Sequence, residues 1–184
     1  MPRKQCISGE QILDTAFEIA RQEGIEALTA RRIAQKAECS TQPIFRVYQS
    51  MEELCVDVYE KSAEFFEDFY EFYPKMGKNP FVNLGMTYIA FAKSEKFLFR
   101  FLFLSKWKQK TMLELMDGKN ENVSMEIKRA FEAGNEDAEG LFTEMWMFVH
   151  GAACMALTGD YHFSDVQLLA LLERAYGAFS EKMS

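Results

Sequence analysis

All four prolines of this 184-residue chain, Pro2, Pro43, Pro74 and Pro80, lie within its first 80 positions. Proline removes a backbone donor and clashes with the preceding turn, so the remaining length is free to form long helices. Asn79-Pro80 pairs a good N-cap with proline at the first helical position, where its missing N–H has no intrahelical partner in any case. Ser164-x-x-Gln167 reads as a capping box, and Gly118, Gly134-Asn135 and Gly159-Asp160 mark breaks. The pattern predicts helices over about 80–93, 95–116, 121–134, 138–158 and 164–181. Phe97, Phe99, Phe101 and Phe103 alternate like a strand. Helix is preferred because Phe99, Phe103 and Trp107 recur at helical spacing, while Arg100, Ser105 and Lys108 interrupt any sheet face.

The first part of the chain carries shorter elements. Ser8-x-x-Gln11 is a second capping box and opens a run of Ile12, Leu13, Ala16, Phe17, Ile19 and Ala20, which Gly24 ends. Thr29 caps a short helix with an inward stripe of Ile33, Ala34 and Ala37. After Glu38-Cys39-Ser40, a third short helix is expected to turn Ile44, Phe45 and Tyr48 inward. Ser50-x-x-Glu53 starts a long connecting helix through Leu54, Val58, Phe65 and Phe69 that ends before Pro74. The expected fold is all-α: a three-helix head over residues 1–50 and a larger helical-bundle body over 51–184, about nine helices in total.

Composition narrows the function. With 48% hydrophobic and 27% charged residues the chain is an ordinary globular protein. The net charge is −7, but residues 1–50 hold 7 basic and 6 acidic side chains, which leaves the acidic surplus to the rest. Any nucleic-acid contact therefore belongs to the head. The longest uncharged runs, Asn79–Ala92 and Met145–Gly159, are 14 and 15 residues, short of the ~18–20 that cross a bilayer. No apolar leader precedes the first helix, so the cytoplasm is the expected compartment, with no membrane partner. Cys6, Cys39, Cys55 and Cys154 form no C-x-x-C pair, and His150 and His162 stand in no metal-binding pattern. No nucleophile with its base and no phosphate loop is visible, so neither catalysis nor a metal or cofactor is expected.

Two short helices joined by a three-residue turn, with a supporting helix before them, form a helix-turn-helix pattern. On the second helix Thr41, Gln42 and Arg46 face out, where Arg46 can reach guanine O6/N7 and Gln42 can pair with adenine. The helix starts at Thr29 and Ser50 offer N–H groups to phosphate oxygens. Arg31 and Arg32 occupy the first turn of their helix, where the dipole disfavours cations, and an anionic partner would explain that placement.

Gly24-Ile25-Glu26-Ala27-Leu28-Thr29-Ala30-Arg31-Arg32-Ile33-Ala34-Gln35-Lys36-Ala37, followed by Cys39 through Leu54, resembles the DNA-binding head of the TetR/AcrR family of bacterial transcriptional repressors over residues 8–58. The resemblance implies that Thr29 and Tyr48 position the DNA backbone and that Arg31, Thr41, Gln42 and Arg46 read bases. Several positions depart from the family pattern. Glu38 stands where glycine is common in the turn, and is expected to accept a left-handed backbone at ~1 kcal/mol or more. Phe45 replaces a tyrosine and Met51 a lysine, each removing a group that could meet phosphate, and Val47 stands where histidine is common.

In the body, 15 of the 17 phenylalanines, ten of the 11 methionines and both tryptophans lie after residue 50. Such a stripe is ordinarily core, yet it also suits an adaptable apolar pocket, with Phe65, Phe69, Tyr88, Phe91, Phe103, Trp107 and Trp146 as candidates. Trp146-x-x-x-His150-Gly151 resembles the family's penultimate helix. With the last helix it implies a homodimer interface drawn from Gly151, Ala152, Leu168, Leu172 and Tyr176. The function expected is a ligand-responsive regulator, most simply a repressor, released from a palindromic operator in double-stranded DNA by a small apolar or amphipathic inducer. The alternative is a protein-interaction module of the same fold that has lost DNA binding.

Overall fold

The computed structural model describes residues 7–117, 122–132 and 137–181, and these form ten α-helices with no strand. Cys6 and the expected breaks at Gly118 and Gly134-Asn135 lie outside the described residues. The chain divides into two compact units. One comprises residues 1–65 and 95–109, the other 66–94 and 110–184. The division does not fall at residue 50, because the long fourth helix runs from one unit into the other and a later segment returns to the first.

The first unit begins with α1 (Gly9–Glu23), capped as expected: Gln11 N–H donates to Ser8 Oγ and Ser8 N–H to Gln11 Oε1. Gly24, at φ 94°, ends it. A 3-10 turn, Ile25–Ala27, leads to α2 (Ala30–Lys36), capped by Thr29. Then come α3 (Ile44–Val47) and α4 (Met51–Phe72). Ile12, Ala16, Ile19, Ile33, Ile44, Leu54 and Val58 form the core of this unit.

The expected helix over 95–116 is not continuous. It resolves into α6 (Lys96–Phe99), a π-helical turn (Arg100–Leu104), an extended Ser105, and α7 (Met112–Asp117). Ser105 Oγ donates to Phe101 O at 2.7 Å and accepts from Trp107 N–H at 3.1 Å. A serine that satisfies backbone groups on both sides of itself competes directly with the helical ladder. Phe99 and Phe103 still pair, with ring centroids 5.0 Å apart, and Trp107 lies beyond the break. Within the same unit α6 packs on α1, and Arg21 Nε and Nη2 donate to both Glu95 oxygens at 2.9 and 2.6 Å.

In the second unit α5 (Pro80–Ser94), α9 (Ala138–Thr158) and α10 (Asp165–Glu181) pack together, with α8 (Asn122–Glu132) against α9 and α5. Close approach is built in at Gly85, where a Cβ would stand 2.9 Å from Val149 Cγ2 and 3.3 Å from Leu172 Cδ1. Gly159, left-handed at φ 78°, ends α9. α9 is 21 residues long with a window of mean hydropathy 1.2, enough by length and composition to cross a membrane. Only 22% of that window is buried within the chain, which leaves an exposed apolar side.

Candidate nucleic-acid interface

Local chemistry holds the head's geometry. Arg32 N–H donates to Thr29 Oγ1 at 3.2 Å, which caps α2. At the other end Cys39 N–H bonds Ala34 O at 2.9 Å and Glu38 N–H bonds Gln35 O, the paired bonds of a Schellman turn. That turn requires a left-handed residue after the cap, and Glu38 supplies it at φ 51°. The expectation from its place in the turn is met without a glycine.

The recognition element is shorter than expected. Thr41, Gln42 and Pro43 form a turn, and helix begins only at Ile44. Thr41 still receives the N–H of Ile44 at 3.2 Å, so the turn and α3 are one continuous scaffold. Thr41, Gln42 and Arg46 are exposed together, as are Thr29 and Arg31. Phe45 corrects the expected inward stripe: Ile44 and Tyr48 are buried, whereas Phe45 is 53% exposed. Residues one apart on a helix point about 100° from each other, and with Ile44 and Tyr48 turned inward Phe45 falls on the open side of this four-residue turn.

The four arginines and the tyrosine that matter here have different electrostatic surroundings. Arg32 Nε and Nη2 donate to the two oxygens of Glu23, at 2.9 and 2.7 Å, and Nη1 to Gln35. This pair holds Glu23 below the usual carboxylate range and Arg32 above its ordinary value, chiefly through the hydrogen bond. The protein's own carboxylate thus accounts for a cation in the first turn of α2. Arg21 is engaged with Glu95. Arg31 and Arg46, by contrast, form no ion pair among the described residues. Tyr48 is 7% exposed; burial first, then a hydrogen bond to Asp57, pushes its phenol up to about 12. At Ser50, Glu53 N–H donates to the hydroxyl at 3.2 Å, while Glu53 reaches back to the N–H of Gln49 rather than of Ser50. Glu23, which holds Arg32, is a partner the sequence pattern left unnoticed.

The expected pocket residues do not converge on one cavity. Phe65 belongs to the first unit, where it packs on Phe17 at 5.6 Å under the Arg21 guanidinium. Phe103 and Trp107 are in the same unit. Phe69, Tyr88, Phe91 and Trp146 lie in the second, joined through Phe66 in an edge-to-face string with centroids 4.6–6.3 Å apart. Tyr88 and Phe91 are fully buried. Beside Trp146 a small apolar cavity, also lined by Phe81, Leu84, Gly85 and Val149, has room for about one water molecule.

Of the expected interface residues, Gly151 is exposed, and Ala152 and Tyr176 are half-buried. Leu168 and Leu172 are corrected: they are 2% and 0% exposed and belong to the core of their own unit. The face of α10 that carries them is the face turned to α5 and α9.

Residues 12–58 match the family model of "Bacterial regulatory proteins, tetR family". The fold is shared with a transcriptional regulator from Rhodococcus sp. Rha1 at TM-score 0.64 and 14% identity, covering 96% of this chain and 97% of that one. A member of the TetR family from Streptomyces coelicolor A3 aligns at TM-score 0.59 and 16% identity over 90% and 96% of the two chains. A TetR-like transcriptional regulator from Rhodococcus sp. RHA1 aligns at 0.60 and 17% over 96% of each. No curated protein matches by sequence. The family model spans most of α1, α2, the turn and α3 through the start of α4, and the solved structures cover nearly the whole chain: residues 12–58 match the TetR family's model, and the chain as a whole shares the fold of these regulators.

Proposed function

We propose that this chain is a homodimeric DNA-binding regulator whose residues 1–50 grip an operator and whose remaining residues dimerise and respond to a small apolar or amphipathic molecule. The observation that carries it is the exposed set Arg31, Thr41, Gln42 and Arg46, whose side chains form no ion pair or hydrogen bond among the described residues, held on the α2–turn–α3 scaffold in a segment that matches the family's N-terminal model. Arg46 and Gln42 are assigned to base edges, and Arg31 with the cap at Thr29 to the backbone or an adjacent base. Two copies with recognition elements about 34 Å apart would meet successive major grooves of a palindrome.

Support for a second copy comes from α9. Met147 and Met155 are 69% and 47% exposed, and between them, at helical spacing, Gly151 has open space where a Cβ would stand. An exposed, small-to-flexible apolar stripe on a long apolar helix is a surface that a partner of the same kind can cover. Release by a ligand would require the aromatic string around Trp146 to open, since the cavity there is nearly filled. A ligand that binds the non-DNA form more tightly by a typical ~1–3 kcal/mol would relieve repression. In this reading the chain acts by binding alone and resides in the cytoplasm.

The test is a mobility-shift and footprint assay on duplexes flanking the gene, at low salt. Retardation with protection of two half-sites is expected, and absence of protection on every duplex would sink the reading. Phe45 and Val47, 53% and 46% exposed on α3, are what the rival of a protein-interaction module would draw on; the same assay decides between them.

A further inference from the structure

Phe45 presents apolar surface at a place where folding does not use it. Its neighbours on α3, Ile44 and Tyr48, supply the inward contacts and are buried, while Phe45 stays 53% exposed. Val47 is also exposed, but it leans toward α1: a Cβ on Gly9 would stand 3.3 Å from Val47 Cγ1. Phe45 follows Gln42 by three positions and precedes Arg46, both exposed, and the segment Thr41 to Val47 contains no carboxylate. The phenyl ring therefore sits within a polar and cationic surface suited to a polyanion.

A phenyl ring has no donor and no charge, so it gains nothing from a phosphate oxygen and would desolvate it. On the base edges of a major groove there is one apolar group it can cover, the C5-methyl of thymine. We propose that Phe45 is a specificity-determining residue that packs on thymine methyl groups beside the base pairs read by Gln42 and Arg46. The proposal rests on the reading of α3 as the recognition element and adds the chemical class of base it selects. It also gives the tyrosine-to-phenylalanine departure a positive role: the ring reads a methyl group instead of offering a hydroxyl to the backbone.

The experiment uses the full chain and a duplex selected by it from a random pool. Each thymine in that duplex is replaced in turn by deoxyuridine, which removes the methyl group and leaves base pairing intact. For the wild-type chain, at least one replacement per half-site is expected to lower affinity about three- to fivefold, the worth of one buried methyl. For Phe45→Ala, affinity for the parent duplex is expected to fall while the same uracil replacement has no further effect. Phe45→Leu is expected to keep part of the sensitivity. Unchanged thermal melting of the variants would show that the exposed ring is not needed for folding.

Insensitivity of the wild-type chain to uracil at every position overturns the proposal. So does an equal uracil penalty in wild type and Phe45→Ala, which would place Phe45 on the sugar-phosphate backbone. Unaltered affinity of Phe45→Ala for all duplexes also overturns it and leaves the ring to a protein partner. Failure to select any duplex would refute the DNA reading itself, an outcome distinct from the loss of methyl recognition alone.

Discussion

Glu38 is the position at which backbone strain and surface charge can be separated by experiment. Its φ of 51° is the left-handed conformation that the Schellman turn after α2 demands, and the bonds Cys39 N–H to Ala34 O and Ala37 N–H to Ile33 O, at 2.9 and 2.8 Å, hold it there. A residue with a Cβ pays about 1–2 kcal/mol for that conformation. Glycine escapes the penalty but loses about 0.5–1 kcal/mol of chain entropy on folding. The difference leaves Glu38→Gly about 0.5–1 kcal/mol more stable than Glu38→Ala. In a chain of this size about 2–4 °C corresponds to each kcal/mol, so the Tm gap should be roughly 1–4 °C. Both substitutions remove the same exposed carboxylate from the turn, so their effects on DNA affinity should match: each should tighten binding at low salt and the gain should shrink as salt rises. Differential scanning calorimetry with titrations at two ionic strengths reads both quantities. A Gly variant that melts at or below the Ala variant would refute the strain argument. Affinity gains that differ between the two variants would refute the charge argument.

Other outcomes can be checked with simpler measurements. Arg46→Ala should weaken operator binding by about 1–3 kcal/mol and relax preference at one base pair; an equal loss on unrelated duplexes would move Arg46 to the phosphate backbone. Tyr48 keeps its proton in the folded state up to about 12, against ~10 in the unfolded chain. Its contribution is complete below pH ~10 and is lost as pH rises from there toward 12, by at most about 2–3 kcal/mol. Tyr48→Phe should therefore flatten the fall in stability between pH 10 and 12, and urea melts that remain parallel to wild type would contradict this. Leu172→Ala should cost about 2–5 kcal/mol as a cavity in the subunit core, while a charge at Met147, as in Met147→Asp, should yield monomers in sedimentation velocity. A Leu172→Ala protein that melts normally but dissociates would return Leu172 to the interface.

Much of the head could be read from residue types because its signals are local. A serine, threonine or asparagine before a helix satisfies an N–H three positions away or fewer, whatever the rest of the fold does. Ser8, Thr29, Asn79 and Ser164 accordingly cap the helices they were expected to cap. The left-handed turn at Glu38 was legible from the resemblance to the family, whose pattern has glycine at that place. What the pattern of residues misjudged is the direction of single side chains in short or uniformly apolar elements. α3 is one turn long, too short for a period to say that Phe45 faces away from Ile44. α10 has leucines around more than one side, so only packing on α5 and α9 decides that Leu168 and Leu172 turn inward.

Sequence alone determined the all-helical class, the cap positions, and the helix-turn-helix with its exposed polar positions Thr41, Gln42 and Arg46, because each follows from contacts between neighbours along the chain. Tertiary structure decided the rest. It assigned Arg32 to Glu23 and buried Tyr48, leaving Arg31 and Arg46 in no ion pair among the described residues. It split the candidate pocket residues between two units and interrupted the helix at Ser105. These outcomes depend on which distant groups meet in space, and the energy of a side chain is set by those neighbours rather than by its place in the sequence.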